Sequence, residues 1–425
     1  MFRMTAVLLF LAATATLCWG ILLFSPAWRT LLHFVYSTDC SPEALNGRFP
    51  GDDVTGAFAG DPEEWPAVTV IVPGRNEGHI LEKTLGSLCA LDYPRVRVVF
   101  VDDQSTDNTP EVCARLLAKH AHLTVIRNTE GPRDGWVGKT WAVHQAEKHM
   151  QEGAYLLFTD SDLEFHPQCL KHMVRLALHR RTDITSLLPA MYCVTLGELL
   201  GLFSTMVLIN ARLSLYVCNN PKIPRALVAG GFLLVKRESY HKLGGHAAVR
   251  GQVVEDVAFG TRAKAMGLRV FTALTHDLYR ARMYEGWGDT YRGLKKNAYA
   301  GANYRLGFGV FIVGFLFFVG VMPVVYAGVG VGLSIAAPTG MHLALASMGL
   351  LALVLEVIPG VRTARYVGFP GWAILTLPLS FAFYLAVFVG SVFDYYRGGN
   401  TWAGRKMVKA QSLDEAGKLE VETTP

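Results

Sequence analysis

Apolar positions along this chain follow two regimes. Toward the ends they run almost without interruption. Met4–Phe24 is one such stretch, and 308–336, 341–358 and 371–393 are three more. A run of about 20 apolar residues suffices to cross a bilayer core, so each is a candidate span. Arg3 precedes the first run, as in a secretory signal. No small-x-small cleavage site follows it, and Trp19, Phe24 and Trp28 occupy that region, so the run reads as an anchor.

Between about residues 65 and 300 the runs shorten and alternate with amphipathic segments. Val68–Val72 is a short run β-branched throughout, the pattern of a strand buried on both faces. Glu77–Ala90 places Ile80, Leu81, Leu85 and Leu88 on one helical face. Val96–Val101 predicts a second strand, and Ser105, Asp107 and Pro110 signal the start of a second helix. Leu123–Arg127, a helix over Lys139–Met150 and a strand over Tyr155–Thr159 complete the series. Alternating strands and helices predict an α/β fold with a mostly parallel sheet. Right-handed crossovers then bring the strands' C-terminal ends to one edge, where ligands bind. Beyond residue 165 the pattern loosens. Val194–Val217 is apolar and helical but holds Glu198, Asn210 and Arg212. It fits an interfacial or groove-lining helix, or equally a buried core helix. Further strands are expected at Gly230–Val235 and Arg269–Ala273, with a helix at Glu255–Met266.

This predicts an N-terminal anchor over 1–38, a Pro-, Gly-, Asp- and Ala-rich linker over 39–64, an α/β domain over 65–304, a C-terminal membrane region of two to three segments over 305–395, and a tail over 396–425. Composition agrees. Hydrophobic residues at 51% and charged residues at 18% are too apolar for a soluble enzyme and too charged for a bare helical bundle. The net charge of +5, with no basic run interleaved with aromatics, suits a cytoplasmic membrane face rather than nucleic acid. Seven cysteines, at 18, 40, 89, 113, 169, 193 and 218, show no metal-ligand spacing and no disulfide framework, which predicts reduced thiols and a cytosolic domain.

Polar residues accumulate where the predicted strands end. Pro73, Arg75, Asn76 and Glu77 leave the first, Asp102 and Asp103 the second, and Asp160, Ser161 and Asp162 the fourth. Carboxylates two apart on an extended segment can share a hard cation such as Mg²⁺ or Mn²⁺, with diphosphate oxygens completing its shell. Such a cation would offset charge on a departing nucleotide diphosphate. A solvated acidic turn is the structural alternative. One of Asp102 and Asp103 can accept hydrogen bonds from a nucleoside while the other caps the following helix. Arg75, Asn76 and Glu77 can contact nucleoside or diphosphate, although Glu77 also suits a helix's first turn. Lys139, in Gly135-Trp-Val-Gly-Lys-Thr-Trp141, can pair with phosphate at a helix start. The segment is not a Walker A loop, because Arg133 stands where a glycine is needed. Glu255 and Asp256 open a helix, where a carboxylate can deprotonate an acceptor hydroxyl or simply serve the helix end. Arg280, Arg282, Tyr284 and Trp287 suit diphosphate or acceptor contact, or an aromatic and basic membrane belt.

Together, Val68–Glu77, Val101-Asp-Asp-Gln-Ser-Thr-Asp107, Asp160-Ser-Asp162 and Glu255-Asp256 resemble the family 2 inverting glycosyltransferases of GT-A fold, in order over about 66–300. The resemblance implies a Rossmann-like domain using a UDP-sugar, often UDP-glucose. By it, Glu77, Asp102 and Asp103 bind the nucleoside, Asp160 and Asp162 flank the metal and ribose-diphosphate, and Asp256 is the base. Gly135–Ala142, Gly244–Gly251 with Glu255-Asp256, Arg282-Met-Tyr284 and Thr401–Arg405 are similar to bacterial carotenoid (diaponeurosporenoate) and hopene-associated lipid glycosyltransferases, which implies a terpenoid or other membrane lipid acceptor. A processive polysaccharide synthase is the alternative, but its Gln-x-x-Arg-Trp motif does not occur, which favours transfer of a single sugar. If the acceptor is a carboxylate, no strong base is needed.

A nucleotide sugar requires the domain to face the cytosol, at the inner membrane. Three full C-terminal spans would then place the tail outside, whereas Arg397, Arg405, Lys406 and Lys409 favour the inside. One C-terminal segment is therefore expected to be re-entrant or interfacial. Met341–Ile358, stopped by Pro359, and the last segment, interrupted by Pro378, are the candidates.

Overall fold

A computed structural model describes residues 2–24, 62–212, 215–252, 254–275, 277–302, 304–397, 401–402 and 405–406. Nearly all of the expected linker, and most of the expected tail with Lys409, lie outside the described residues. The chain divides into two compact units. One comprises Phe34–Tyr192, Leu215–Met283 and Gly399–Pro425; the other comprises Met1–His33, Cys193–Ser214 and Tyr284–Gly398.

The first unit is an α/β domain. Its strands are β1 (Val68–Gly74), β2 (Val96–Asp102), β3 (Leu123–Arg127), β4 (Tyr155–Phe158), β5 (Leu163–Phe165), β6 (Ile184–Leu188), β7 (Ala190–Met191), β8 (Leu233–Lys236), β9 (Val270–Leu274) and β10 (Tyr279–Ala281). Seven form a sheet in the order β3-β2-β1-β4-β8-β6-β9. All pairings are parallel except those of β8, which runs against both β4 and β6. Successive side chains in a strand point to opposite faces. Val68, Val70 and Val72 therefore pack with Leu81, Leu85 and Leu88 on one side, while Ile71, Val99 and Val101 pack with Ala142 and Val143 on the other. Helices cover both faces of the central strands, which is why these strands are apolar without alternation. The reversal from β2 to β4 about β1 places three strand tips side by side.

Several boundaries differ from the expectation. The first helix begins at Leu81 rather than Glu77, because the Glu77 carbonyl closes a turn by accepting from the Ile80 and Leu81 amides. The third helix runs Gly138–Gln145 and gives way to a tight turn at Glu147–His149. Gly230 and Gly231 precede β8 instead of belonging to it; the Gly230 amide is turned onto a side chain and cannot join the ladder. Strand β6 and the small sheet β5-β10-β7 are additions that apolar periodicity did not reveal. No disulfide joins the cysteines among the described residues.

The second unit is helical and apolar. Among the described residues four of its helical segments are long and apolar enough to cross a membrane: Met4–Ile21, Leu306–Ala336, Gly340–Val367 and Gly371–Arg397. Pro359 does not stop its helix, which continues to Val367, so the expected end at Ile358 is corrected. A buried helix tolerates proline when neighbouring groups satisfy what it frees. Pro378 likewise does not interrupt a helix but stands in the first turn of Leu377–Arg397, where its missing N–H costs little. Pro323 shows the compensation directly. It cannot donate to the Val319 carbonyl, and the Trp19 indole N–H donates to that oxygen instead, at 2.9 Å. The N-terminal helix is thereby fastened to the Leu306–Ala336 segment, and Thr16 Oγ1 ties it to the Gly340–Val367 helix by donating to the Met348 carbonyl at 3.1 Å.

The segment expected over Val194–Val217 is helical at Leu196–Arg212 and again at Leu215–Asn219. Leu199, Leu200, Leu202 and Phe203 are buried, so its first part is a packed helix of the apolar unit. Its buried Glu198 accepts from the Val194 and Gly286 amides, each at 2.7 Å. One carboxylate thus caps two helix starts.

Candidate active site

Tip by tip, the sheet edge is built from tight turns. At the β1 tip Asn76 adopts φ 59°, a left-handed conformation that Asn tolerates. Its amide donates to Ser105 Oγ at 2.9 Å, and its Oδ1 accepts from the Thr106 amide at 2.8 Å. Arg75 donates to the Asp103 carbonyl at 2.7 Å. Asp107 Oδ2 accepts from the Gly78 amide and Oδ1 from the Thr109 amide. The first amide of the helix Thr109–Lys119 is therefore served by Asp107.

Asp102 and Asp103 are 2% and 1% exposed. Asp102 Oδ1 accepts from the Ser105 amide at 2.9 Å, and Asp103 Oδ1 from Asn128 Nδ2 at 3.2 Å. Both brace the turn in addition to any ligand role. Glu77 sits nearby with its carboxyl raised above the ordinary range by burial; His79 and a hydrogen bond with Ser161 pull the other way.

The β4 tip differs in kind. Lys139 Nζ lies 2.6 Å from Asp160 Oδ1 and 2.7 Å from Glu255 Oε1. Burial opposes the lysine's charge, but Asp160, Glu255 and Asp256 outweigh it and hold Lys139 protonated well above its usual value. Asp162 is raised to about 7 by desolvation first, then by repulsion from Asp160 and Glu77. Its residue surface nonetheless remains exposed, and the repulsion from Asp160 and Glu77 is what a cation would relieve. Among the described residues no cluster of three or more His, Cys, Asp or Glu side chains is arranged to hold a metal. Two carboxylates completed by substrate phosphates remain a fitting donor set for Mg²⁺ or Mn²⁺, which bind few protein ligands at such sites.

Asp256 is raised to about 7, by burial first and then by Glu255, with Lys139 and the Val257 and Gly230 amides opposing. Its Oδ2 accepts from the Gly230 amide at 2.8 Å and its Oδ1 from the Val257 amide at 2.7 Å. A carboxyl titrating near neutrality, oriented by two amides, is suited to general-base work.

Two sequence blocks meet to make this arrangement. The Val137 amide and Thr140 Oγ1 both donate to the Arg250 carbonyl, at 2.8 Å each. That double tie sets Gly135–Trp141 against the 244–256 segment and lets Lys139 reach Glu255. Pro73, Lys139, Phe158, Gly230, His246 and Asp256 line one small pocket. His246 is packed among Phe158, Tyr240 and Phe259 and shares a 3.0 Å hydrogen bond with Tyr240. Burial lowers its pKa to about 3, so it forms a neutral floor. Gly230 is a site residue that sequence reasoning missed. A Cβ there would stand 2.8 Å from Lys139 Nζ and 3.4 Å from Asp256 Oδ2. The Gly230-Gly231 pair just before a strand is the signal that could have found it.

Arg280 and Arg282 flank the end of β10, where Ala281 pairs with Leu163 of β5. Tyr284 and Trp287 belong to the helical unit. The Tyr284 ring fills the space over Gly293, and Trp287 lies on Gly197 and edge-to-face with Phe383 at 5.7 Å. Trp287 remains 51% exposed.

Residues 69–199 match the profile of Glycosyl transferase family 2. The 4,4'-diaponeurosporenoate glycosyltransferase of Staphylococcus haemolyticus is 25% identical over 57% of this chain and 63% of its own length. The beta-monoglucosyldiacylglycerol synthase of Nostoc sp. is 31% identical over 26% of this chain and 23% of its own. The chain thus spans less than two thirds of either relative. Among solved structures, the mannosyltransferase PcManGT from Pyrobaculum calidifontis, in complex with GDP-Man and Mn²⁺, covers 93% of this chain and 99% of its own at 20% identity and a TM-score of 0.47. Residues 69–199, which carry the β1, β2 and β4 tips of the polar site described above, thus match glycosyltransferase family 2, in a chain that also holds apolar helices long enough to span a membrane.

Proposed function

We propose that this protein transfers a single sugar, with inversion, from a UDP-sugar such as UDP-glucose to a membrane lipid, of carotenoid, hopanoid or other terpenoid type, at the cytosolic face of the inner membrane. The observation that carries the reading is the cluster at the sheet edge: Asp160 and Asp162 at one strand tip, with Lys139 and Glu255 linking that tip to Asp256. Glu77, Asp102, Asp103, Arg75 and Ser161 stand on the nucleoside and diphosphate side. Asp160 and Asp162 would hold Mg²⁺ or Mn²⁺, whose chemistry is to neutralise the departing diphosphate. The relatives named for lipid-type acceptors, and the spans in this chain, support the acceptor class.

For a hydroxyl acceptor, Asp256 takes the hydroxyl proton as the oxygen attacks the anomeric carbon. The bond from that carbon to the diphosphate oxygen breaks, and the nucleotide diphosphate leaves with the electron pair. Lys139 balances the carboxylates around the reacting centre and is placed to take a phosphate oxygen when the donor arrives. Arg280 and Arg282 add positive charge beside β5. For a carboxylate acceptor the attacking oxygen is already charged and Asp256 is dispensable.

The test is to incubate membranes containing the protein with labelled UDP-hexoses and extract the lipid. Labelled lipid that requires Mg²⁺ or Mn²⁺ and disappears in Asp162→Ala is the expected result. Label found only in water-soluble polymer would overturn the reading.

A further inference from the structure

Lys264 is a lysine with 9% of its surface exposed. Its ammonium donates to four main-chain carbonyls: Asn220 at 2.9 Å, Ile223 at 3.0 Å, Arg225 at 2.8 Å, and Cys218. Three N–H protons are shared among four oxygens converging on one point, an arrangement like those that replace the hydration shell of a monovalent cation. Nothing in the function proposed above uses this residue.

Its place on the helix Glu255–Ala265 gives it meaning. Asp256, Gly260 and Lys264 are spaced i, i+4 and i+8, so they share one helical face. The segment 218–230 runs along that face in the opposite direction. Lys264 grips it over 218–225. At Gly260 a Cβ would stand 2.9 Å from Ala226 Cβ and from Val228 Cγ2, so only a bare backbone admits the segment there. At the far end the Gly230 amide meets Asp256 Oδ2. Other bonds tie the same segment sideways to the sheet: Asn219 exchanges two with the Thr272 backbone, Thr272 Oγ1 donates to the Leu227 carbonyl, and the Ala229 amide donates to Ser186 Oγ. Those bonds hold the segment to β6 and β9. Lys264 is the polar grip that holds its opposite end to the Asp256 helix.

We propose that Lys264 is a positioning residue for the candidate base, setting the register of 218–230 along the helix so that the Gly230 N–H is delivered to Asp256. The inference rests on the reading that Asp256 deprotonates the acceptor. An acceptor oxygen must meet a base within hydrogen-bond reach, and small misplacements are costly there.

The experiment uses the full chain in detergent, with Lys264→Ala. The expected result is a loss of about tenfold in kcat for a hydroxyl acceptor, within the hundredfold that an ångström of misplacement costs, with donor KM unchanged. Hydrogen exchange at the Gly230 amide accelerates in parallel. Methylammonium, which can enter the carbonyl cage, restores both; tetramethylammonium, which has no N–H, restores neither. Wild-type kcat and Gly230 protection with only a lower thermal midpoint would overturn the proposal. Where Lys264→Ala fails to accumulate, Lys264→Arg keeps the charge but has a planar fork unsuited to four oxygens around a point. The proposal requires the same two losses in it, and an Arg variant indistinguishable from wild type overturns it. If Asp256→Asn retains full rate, the base assignment fails, but Gly230 exchange and its rescue by methylammonium still decide the register.

Discussion

The tips of β2 and β4 carry the same residue type to the same sheet edge and do opposite things with it. Asp102 and Asp103 are buried and engaged by a turn amide and by Asn128. Asp160 and Asp162 stand beside further carboxylates, with Lys139 as the bridging cation, and Asp162 is pushed up to about 7. An acidic group whose acceptors are filled by its own turn stabilises structure. One that repels its neighbours is poised for a ligand.

The largest effects should fall on the β4 side. Asp256→Asn is expected to lower transfer to a hydroxyl acceptor by about 10²–10⁴-fold, the range general-base catalysis contributes. The same change should raise the thermal midpoint at pH 8. The folded-state pKa of Asp256, about 7, lies above its ordinary 3.8, so its carboxyl favours folding below pH 4 and that contribution is lost as pH rises to about 7. Asn removes the charge burial, and the gain in midpoint should vanish near pH 4. By the same titration, kcat/KM in the wild type should rise with pH through about 7. A flat profile would point to a carboxylate acceptor.

Next in size is Lys139→Met. It leaves Asp160 and Glu255 facing each other without their shared cation, so transfer should fall by about 10²-fold, comparable to loss of one electrostatic stabiliser. Donor KM should rise with it. A variant with normal donor KM would show that Lys139 serves only to hold Glu255.

How far the sequence disclosed this comparison depends on the residue. The strands β1 to β4 were legible because each is a short apolar run between turn signals, and their order placed the tips together. The distinction between the tips was not legible, since Asp102-Asp103 and Asp160-Ser-Asp162 look alike until one knows that Ser105 and Asn128 close over the former. Lys139 was legible as a cation at a helix start, but its partner Glu255 is over a hundred residues away, and bonds to the Arg250 carbonyl help to bring them together. Gly230 was hidden because its role lies in its amide and in the side chain it lacks. The long helix through Pro359 was misjudged because a proline's effect depends on which neighbour takes the freed carbonyl, as Trp19 does beside Pro323.

On the β2 side the effects should include a loss of stability, beside any loss of donor binding. Asp102→Ala leaves the Ser105 amide without its acceptor in a site 2% exposed, and should cost about 1–3 kcal/mol of stability. Thermal denaturation measures this. If the stability is unchanged and donor KM rises instead, the β2 tip is a binding tip like its neighbour, and the contrast between the two collapses.

The smallest effect should come from Arg127→Ala. Arg127 Nε lies 3.7 Å from Asp102 Oδ2, and the arginine side chain is 60% exposed against 3% for the aspartate side chain. At that separation and exposure the pair should contribute no more than about 1 kcal/mol, because solvent screens the arginine and its side chain gives up rotamer freedom to stay there. Asp102 keeps the Ser105 amide whether or not Arg127 is present, so its orientation should survive. The expected outcome is a midpoint shift of at most about 4 °C and an unchanged donor KM. A rise in donor KM without loss of stability would mean that Arg127 itself faces the nucleotide, and the β2 tip would then owe its ligand contacts to the strand beyond it rather than to its own aspartates.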